Sequence, residues 1–202
     1  MSRDKSTSFQ RSWMKPGVSF DKYRQVYIAP TNTDYTKIKL AVLNSRRLLN
    51  GGYQKDIVRE GVNFQKNFSN AFEQSKKRNW VVVDQFTKDR RTLKVETALV
   101  QMTPSRVELE AAGYVVPGVS LLNTVAVASE VKISDARTGD LLAVFADRQK
   151  SPFALIDLSK FSYYKADRNI IRDWARQTER WIERGGSGAQ IYESLPFLPV
   201  AW

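Results

Sequence analysis

The stretch from Thr124 to Lys150 constrains the fold more than any other, because two strand-like runs flank a short polar segment. On the first run Val125, Val127, Val131 and Ile133 fall at period two, with Ala126, Ala128, Glu130 and Lys132 at the other parity. Successive side chains of an extended chain point to opposite faces, so this alternation predicts a strand with one buried face. The second run, Leu141 to Asp147, is apolar at both parities: Leu141, Ala143 and Phe145 on one, Leu142, Val144 and Ala146 on the other. That pattern predicts a strand covered on both faces. The intervening Asp135-Ala136-Arg137-Thr138-Gly139-Asp140 has turn chemistry, since an Asp side chain accepts backbone hydrogen bonds and Gly takes positive φ. A long β-hairpin is therefore expected. Asp135, Asp140 and Asp147 are assigned to this turn and strand and not to a cation site. They lack the dense spacing of calcium ligands, and Asp147 falls far from the turn along its strand.

Helices flank this hairpin. From Asp56 to Lys77, Ile57, Gly61, Phe64, Phe68, Ala71 and Phe72 recur at three- and four-residue spacing, the stripe of a helix packed on a core. Lys76, Lys77 and Arg78 close it, where the helix dipole favours cations. From Ala166 to Glu183 a second stripe contains Ile170, Trp174, Thr178, Trp181 and Ile182. Its opposite side carries Arg168, Arg172, Arg176, Arg180 and Arg184 at four-residue spacing, expected as a solvated face or as a contact for an acidic partner or anionic head groups.

Further strands are expected at Phe20–Pro30, Trp80–Asp84 and Thr92–Met102, the last closed by Pro104. Lys37–Leu49 has spacing compatible with an edge strand but is read as a helix. Val107–Ala112 suits a helical turn, and Ser151–Tyr164 an apolar loop. Residues 1–15 are polar and expected to be flexible, with Trp13 and Met14 either an early anchor or a loose end. Beyond Glu183, Gly185-Gly186-Ser187-Gly188 predicts a hinge before the apolar tail Ile191–Trp202. Such a tail is expected to fold back on the domain or to dock on another chain.

Composition narrows the chemistry. The chain of 202 residues has neither Cys nor His. Thiolate and Ser-His-Asp nucleophiles, zinc–thiolate sites and His-ligated metals are thereby excluded, and so is the usual neutral-pH general base. An enzyme would have to work with carboxylates, Lys or Tyr. The net charge of +11 suits an anionic surface or nucleic acid, but the basic residues are dispersed and no nucleic-acid-binding signature is present. No run of about 20 apolar residues spans a membrane, and the N-terminus shows no apolar signal segment.

Several segments, taken in order, resemble the bacterial lipoproteins catalogued as domain of unknown function 3313. They are Phe20-Asp21-Lys22-Tyr23-Arg24-Gln25-Val26-Tyr27-Ile28-Ala29-Pro30, Thr92-Leu93-Lys94-Val95-Glu96-Thr97-Ala98-Leu99, and Ser134-Asp135-Ala136-Arg137-Thr138-Gly139-Asp140-Leu141-Leu142-Ala143 with Asp147-Arg148. Trp174-Ala175 on the last helix also fits, so the resemblance spans about residues 16–184. It implies an exported envelope protein whose precursor carries a signal peptide ending at a lipidated cysteine. The chain departs from that pattern in having neither, which trimming or maturation would explain. The family implies no catalytic residues.

The expected fold is α/β of the α+β kind: one two-layer domain over residues 16–184, with a mixed or antiparallel sheet of about five strands and two main helices on one face. Residues 1–15 form a flexible segment, and residues 185–202 a Gly-rich hinge and apolar tail. The expected function is that of a non-enzymatic cell-envelope domain, a structural or interaction component of an assembly at the periplasmic face of the outer membrane. Its expected partners are other envelope proteins, with membrane attachment only through a lipid anchor that this chain does not contain. No cofactor, metal or catalytic residue is expected. Pro196, Phe197, Leu198 and Trp202 are candidate partner contacts, followed by Arg168, Arg172, Arg176 and Arg180. Binding to an anionic surface or nucleic acid is the alternative, and a carboxylate-based enzyme is the third reading.

Overall fold

The computed structural model describes residues 9–38, 52–102, 124–152 and 165–185. In chain order the elements are β1 (Arg11–Met14), β2 (Gln25–Ile28), β3 (Lys37–Ile38), α1 (Gly52–Glu73), β4 (Val81–Val83), β5 (Thr92–Met102), β6 (Thr124–Asp135), β7 (Leu141–Pro152) and α2 (Lys165–Glu183). The hairpin expected from the alternation is β6 and β7, antiparallel, with Val131 opposite Phe145 and Ile133 opposite Ala143. Val127, Ser129, Val131 and Ile133 are all buried on one side of β6. On β7 the parity of Ala143 and Phe145 is buried, whereas Val144 and Ala146 are half-buried. The strand expected to be covered on both faces is thus sealed on one and partly screened on the other. A register shift between Ile133 and Ser134 puts Leu142 at an irregular position, where it too is buried.

Around this hairpin the described residues form a seven-stranded mixed sheet, β1-β7-β6-β5-β2-β4, with β3 also paired to β5. The hairpin continues antiparallel into β5, whereas β2 runs parallel to both β5 and β4. A parallel pair needs a crossover, and α1 supplies it between β2 and β4. The sheet is larger than the expected five strands for two reasons. Residues 1–15 are not uniformly loose: β1 pairs with β7 from Arg11 opposite Ala146 to Met14 opposite Ala143, and Phe9 packs on Phe145 at 4.7 Å between ring centroids. An unpaired edge of the central hairpin exposes backbone donors and acceptors, which β1 satisfies. The helix read over Lys37–Leu49 does not begin at Lys37, because Lys37 and Ile38 pair in parallel with Gln101 and Met102. The rest of that segment lies outside the described residues, as do Val107–Ala112 and, of the loop expected over Ser151–Tyr164, Phe153–Tyr164; Ser151 and Pro152 instead extend β7, opposite Val125 and Thr124.

Both helices pack on the sheet face that carries Val26, Ile28, Leu93, Val95, Leu99, Val131 and Phe145. Phe64 stacks on Phe68 at 5.2 Å and meets Trp174 of α2 at 6.3 Å. Trp181 seats its ring edge-on to Phe145 at 4.7 Å and to Phe20 at 5.5 Å. The helices run in the same direction, since Phe64 faces Trp174 and Ser75, just past α1, bonds Glu183. Gly61 marks a close approach: a Cβ there would lie 2.8 Å from Thr33 Cγ2, so the Thr33 side chain would have to shift for the loop after β2 to close on α1.

Phe68 is fully buried at the centre of this layer. Phe68→Ala is expected to cost about 3–5 kcal/mol, read from the urea midpoint at unchanged m-value, through lost transfer energy and the cavity left behind.

Candidate functional site

The residues that marked the family are brought together in pairs. At one end of the hairpin Asp135 closes the turn: its Oδ1 accepts the amides of Arg137 at 2.9 Å and Thr138 at 3.1 Å. Gly139, at φ 77°, donates its amide to the Asp135 carbonyl, a left-handed conformation that favours Gly. The other oxygen, Oδ2, accepts the Tyr23 hydroxyl at 2.8 Å and the Lys22 ammonium at 3.1 Å. Burial alone would raise the Asp135 pKa, but the bonds from Tyr23, Thr138, Lys22 and Arg137 outweigh it and hold the carboxyl at about 2. Tyr23 moves the other way: burial first, then its bond to Asp135 and the charges of Asp135 and Asp140, push the phenol well above its ordinary range. At neutral pH Asp135 is a charged acceptor with four donors on it and Tyr23 a protonated donor. Neither acts as a base or nucleophile in that state. A shallow cleft of about 380 Å³ opens over them, walled by Lys15, Pro16, Val18, Lys22 and Asp140.

The second pair lies on β7 away from the turn. Asp147 is buried, and its Oδ2 accepts the Trp174 indole N–H at 2.6 Å and the Gln149 amide at 3.0 Å. Its Oδ1 accepts the backbone amides of Arg148 at 2.9 Å and Gln10 at 3.3 Å. One carboxylate thereby ties the N-terminal segment, the hairpin and α2. Among the described residues no group of three or more acids converges in a way that would hold a metal ion.

A third cluster joins the C-terminal ends of the helices. Ser75 donates its hydroxyl to Glu183 Oε1, and Glu179 beside it is almost fully buried. Burial, then its hydrogen bond to the Glu183 carboxylate, raises Glu179 to about 7. Burial would raise Glu183 as well, but bonds from Glu179 and Ser75 and the backbone and charge of Lys77 bring it below its ordinary value. The pair therefore holds a proton on Glu179 until the pH approaches neutrality.

Arg172, Arg176 and Arg180 are exposed along the outer side of α2. Arg172 also donates to Asn169 Oδ1 at 3.0 Å. The side chain of Arg168 and all of Pro196, Phe197, Leu198 and Trp202 lie outside the described residues. Sequence reasoning placed Tyr23, Asp135, Asp147 and Trp174 in family segments without seeing that they pair. A lone acid in the apolar run of β7 and an indole in the α2 stripe were the available signals. Nothing in the spacing pointed to Glu179 and Glu183.

The model of a family described as a protein of unknown function, DUF3313, matches residues 1–178. The chain belongs to DUF3313. No curated protein matches it. Among solved structures, this DUF3313 chain is similar to protein XCC0632 from Xanthomonas campestris at 10% identity, covering 81% of this chain and 86% of that one, with a TM-score of 0.49. It is similar to a chain of the PelC dodecamer from Paraburkholderia phytofirmans at 8% identity, covering 83% and 97%, with a TM-score of 0.46. A minor lipoprotein from Acinetobacter baumannii is similar at 11% identity over 80% and 94%, with a TM-score of 0.32.

Two outcomes test these clusters. Asp147→Leu strands the Trp174 N–H, and Trp174→Phe strands part of a buried carboxylate, so each is expected to cost about 2–4 kcal/mol in urea unfolding. The double variant is expected to cost clearly less than the sum, because the two act on one bond. Glu179 has a folded pKa of about 7 against an ordinary 4.5, so its contribution to stability is full below the ordinary value and is lost as pH rises through the folded one. Glu183, shifted down, contributes above its ordinary value and loses that only in acid. Glu179→Gln keeps a donor without titrating and is expected to raise Tm by roughly 2–4 °C at about pH 8 while changing little at about pH 5, measured by thermal melts.

Proposed function

We propose that this DUF3313 chain is a non-enzymatic domain of the bacterial cell envelope. It acts as a structural or interaction component of an assembly at the periplasmic face of the outer membrane, carried there by a lipidated precursor. The observation that carries this reading is that the family-marking residues are spent on scaffolding. Tyr23 and Lys22 are bonded to Asp135, and Trp174 to Asp147, with both acids buried and each accepting four hydrogen bonds. A general acid or base has to reach the proton it moves, and neither of these saturated carboxylates is free to do so. The resemblance to exported lipoproteins supports the compartment. No described helix is long and apolar enough to cross a membrane, so attachment through lipid on the precursor is the route that fits.

The partners in this reading are other envelope proteins, met by the apolar residues Pro196, Phe197, Leu198 and Trp202. A second, charged contact is the exposed Arg172, Arg176 and Arg180 row, which calls for an anionic surface.

The test is affinity capture of the full-length precursor from its own envelope membranes, with mass spectrometry of the mature N-terminus and of co-purifying proteins. A lipidated N-terminal cysteine and stoichiometric envelope partners are expected, and deletion of residues 186–202 is expected to release those partners without unfolding the domain. An unlipidated, partner-free protein would overturn the reading.

A further inference from the structure

We infer that the outer face of the α1–α2 layer is a docking surface for an anionic phospholipid bilayer. The inference rests on the envelope reading and names the anionic surface that the arginine row meets. The two helices lie side by side on one sheet face and run in the same direction, so their solvent sides form one continuous surface. On α2 that side carries Arg172, Arg176 and Arg180, all exposed. At about 1.5 Å of rise per residue, the row from Arg172 to Arg184 extends about 18 Å along the helix.

On α1 the solvent side carries Lys55, Arg59 and Lys66, again all exposed. Phe64 faces Trp174, which sets Val62 about level with Arg172 and Lys66 with Arg176. Among the side chains described on these helices, the exposed acids are Glu73 and Asp173. Glu60 and Glu179 are buried, and Glu183 is half-buried against Ser75. Among the described side chains of the layer, three of the five acids are buried or half-buried, whereas Lys55, Arg59, Lys66, Arg172, Arg176 and Arg180 are all exposed.

Charge alone would suit an acidic protein equally well, but two residues favour lipid. Val58 and Val62 are 51% and 60% exposed on the same side of α1, one turn apart and set among Lys55, Arg59 and Lys66. Elsewhere on α1 the apolar stripe of Ile57, Phe64, Phe68 and Phe72 is turned wholly inward, so these valines are not part of the core. Small apolar side chains ringed by cations match a bilayer interface, where the valines enter the head-group boundary and the Lys and Arg stems reach the phosphates.

The test is co-sedimentation of the full chain with vesicles of equimolar phosphatidylglycerol and phosphatidylcholine, against vesicles of phosphatidylcholine alone. Binding to the anionic vesicles only, falling steeply as salt is raised, is expected. The triple variant R172E/R176E/R180E changes solvent-exposed positions and should fold normally by circular dichroism. It is expected to bind at least about 100-fold more weakly, since losing each basic residue near an anionic surface costs about a fivefold factor and the introduced carboxylates add repulsion. V58S/V62S is expected to weaken binding several-fold with the salt dependence unchanged, an effect that a purely electrostatic contact would not show. No binding, equal binding to both vesicles, or wild-type binding by the triple variant would each overturn the inference. Loss of envelope proteins from the triple variant in affinity capture, with no vesicle binding by the wild type, would make the row a protein contact. That result would leave the envelope reading standing. Vesicle binding by a chain that captures no envelope protein and carries no lipid would do the reverse.

Discussion

The Asp147 carboxylate is the point on which the two layers depend. It sits on the central hairpin, inside the protein, and accepts the Trp174 indole at 2.6 Å. A carboxylate taken out of water is costly unless its lone pairs are filled, and here each oxygen accepts two donors. Because those donors come from the N-terminal segment, from β7 itself and from α2, the requirement to fill them sets where each must lie. Trp174 then fixes α2, and through the Phe64 contact it fixes the level of α1. A purely apolar seam between helix and sheet would permit sliding; one directional, charge-assisted bond does not.

Asp135 plays the corresponding part at the turn. Its two oxygens divide the work: one holds the turn amides and the other ties in Tyr23 and Lys22 from the segment before β2. The hairpin is therefore cross-braced at its turn and midway along its strands, each time by an acid on the hairpin and an aromatic donor elsewhere. This arrangement explains how a chain without Cys orders a mixed sheet whose parallel strands come from distant segments. It also separates the buried machinery from the solvent-facing surface. The acceptors of the braces are saturated, while Lys55, Arg59, Lys66, Arg172, Arg176 and Arg180 stand outward on the helix layer.

Much of the architecture was legible from periodicity. The hairpin, the bounds of β5, and the stripes of α1 and α2 all follow from side-chain spacing, because each element buries one side against a common core. The elements that spacing missed are those held by pairing alone. β1 is four residues long and β3 two, too short for any period to register, and each exists because a longer strand presents an open edge to it. The same limit applies to the site. The arginine row was readable at four-residue spacing, whereas the Glu179–Glu183 pair looked like ordinary helix surface until α1 closed over it.

By itself, then, the sequence determined which residues alternate, which face of each helix is apolar, where the turn falls, and which catalytic side chains are missing. These are local properties of neighbouring residues in the chain. The tertiary structure decided which acid met which donor, which edges were filled, and that the outward sides of two helices formed one basic surface. Those outcomes depend on the approach of segments far apart in sequence, as Tyr23 to Asp135 and Trp174 to Asp147 illustrate. A hydrogen bond between such segments leaves no period in the sequence, because its energy depends on a distance that exists only once the layers have packed.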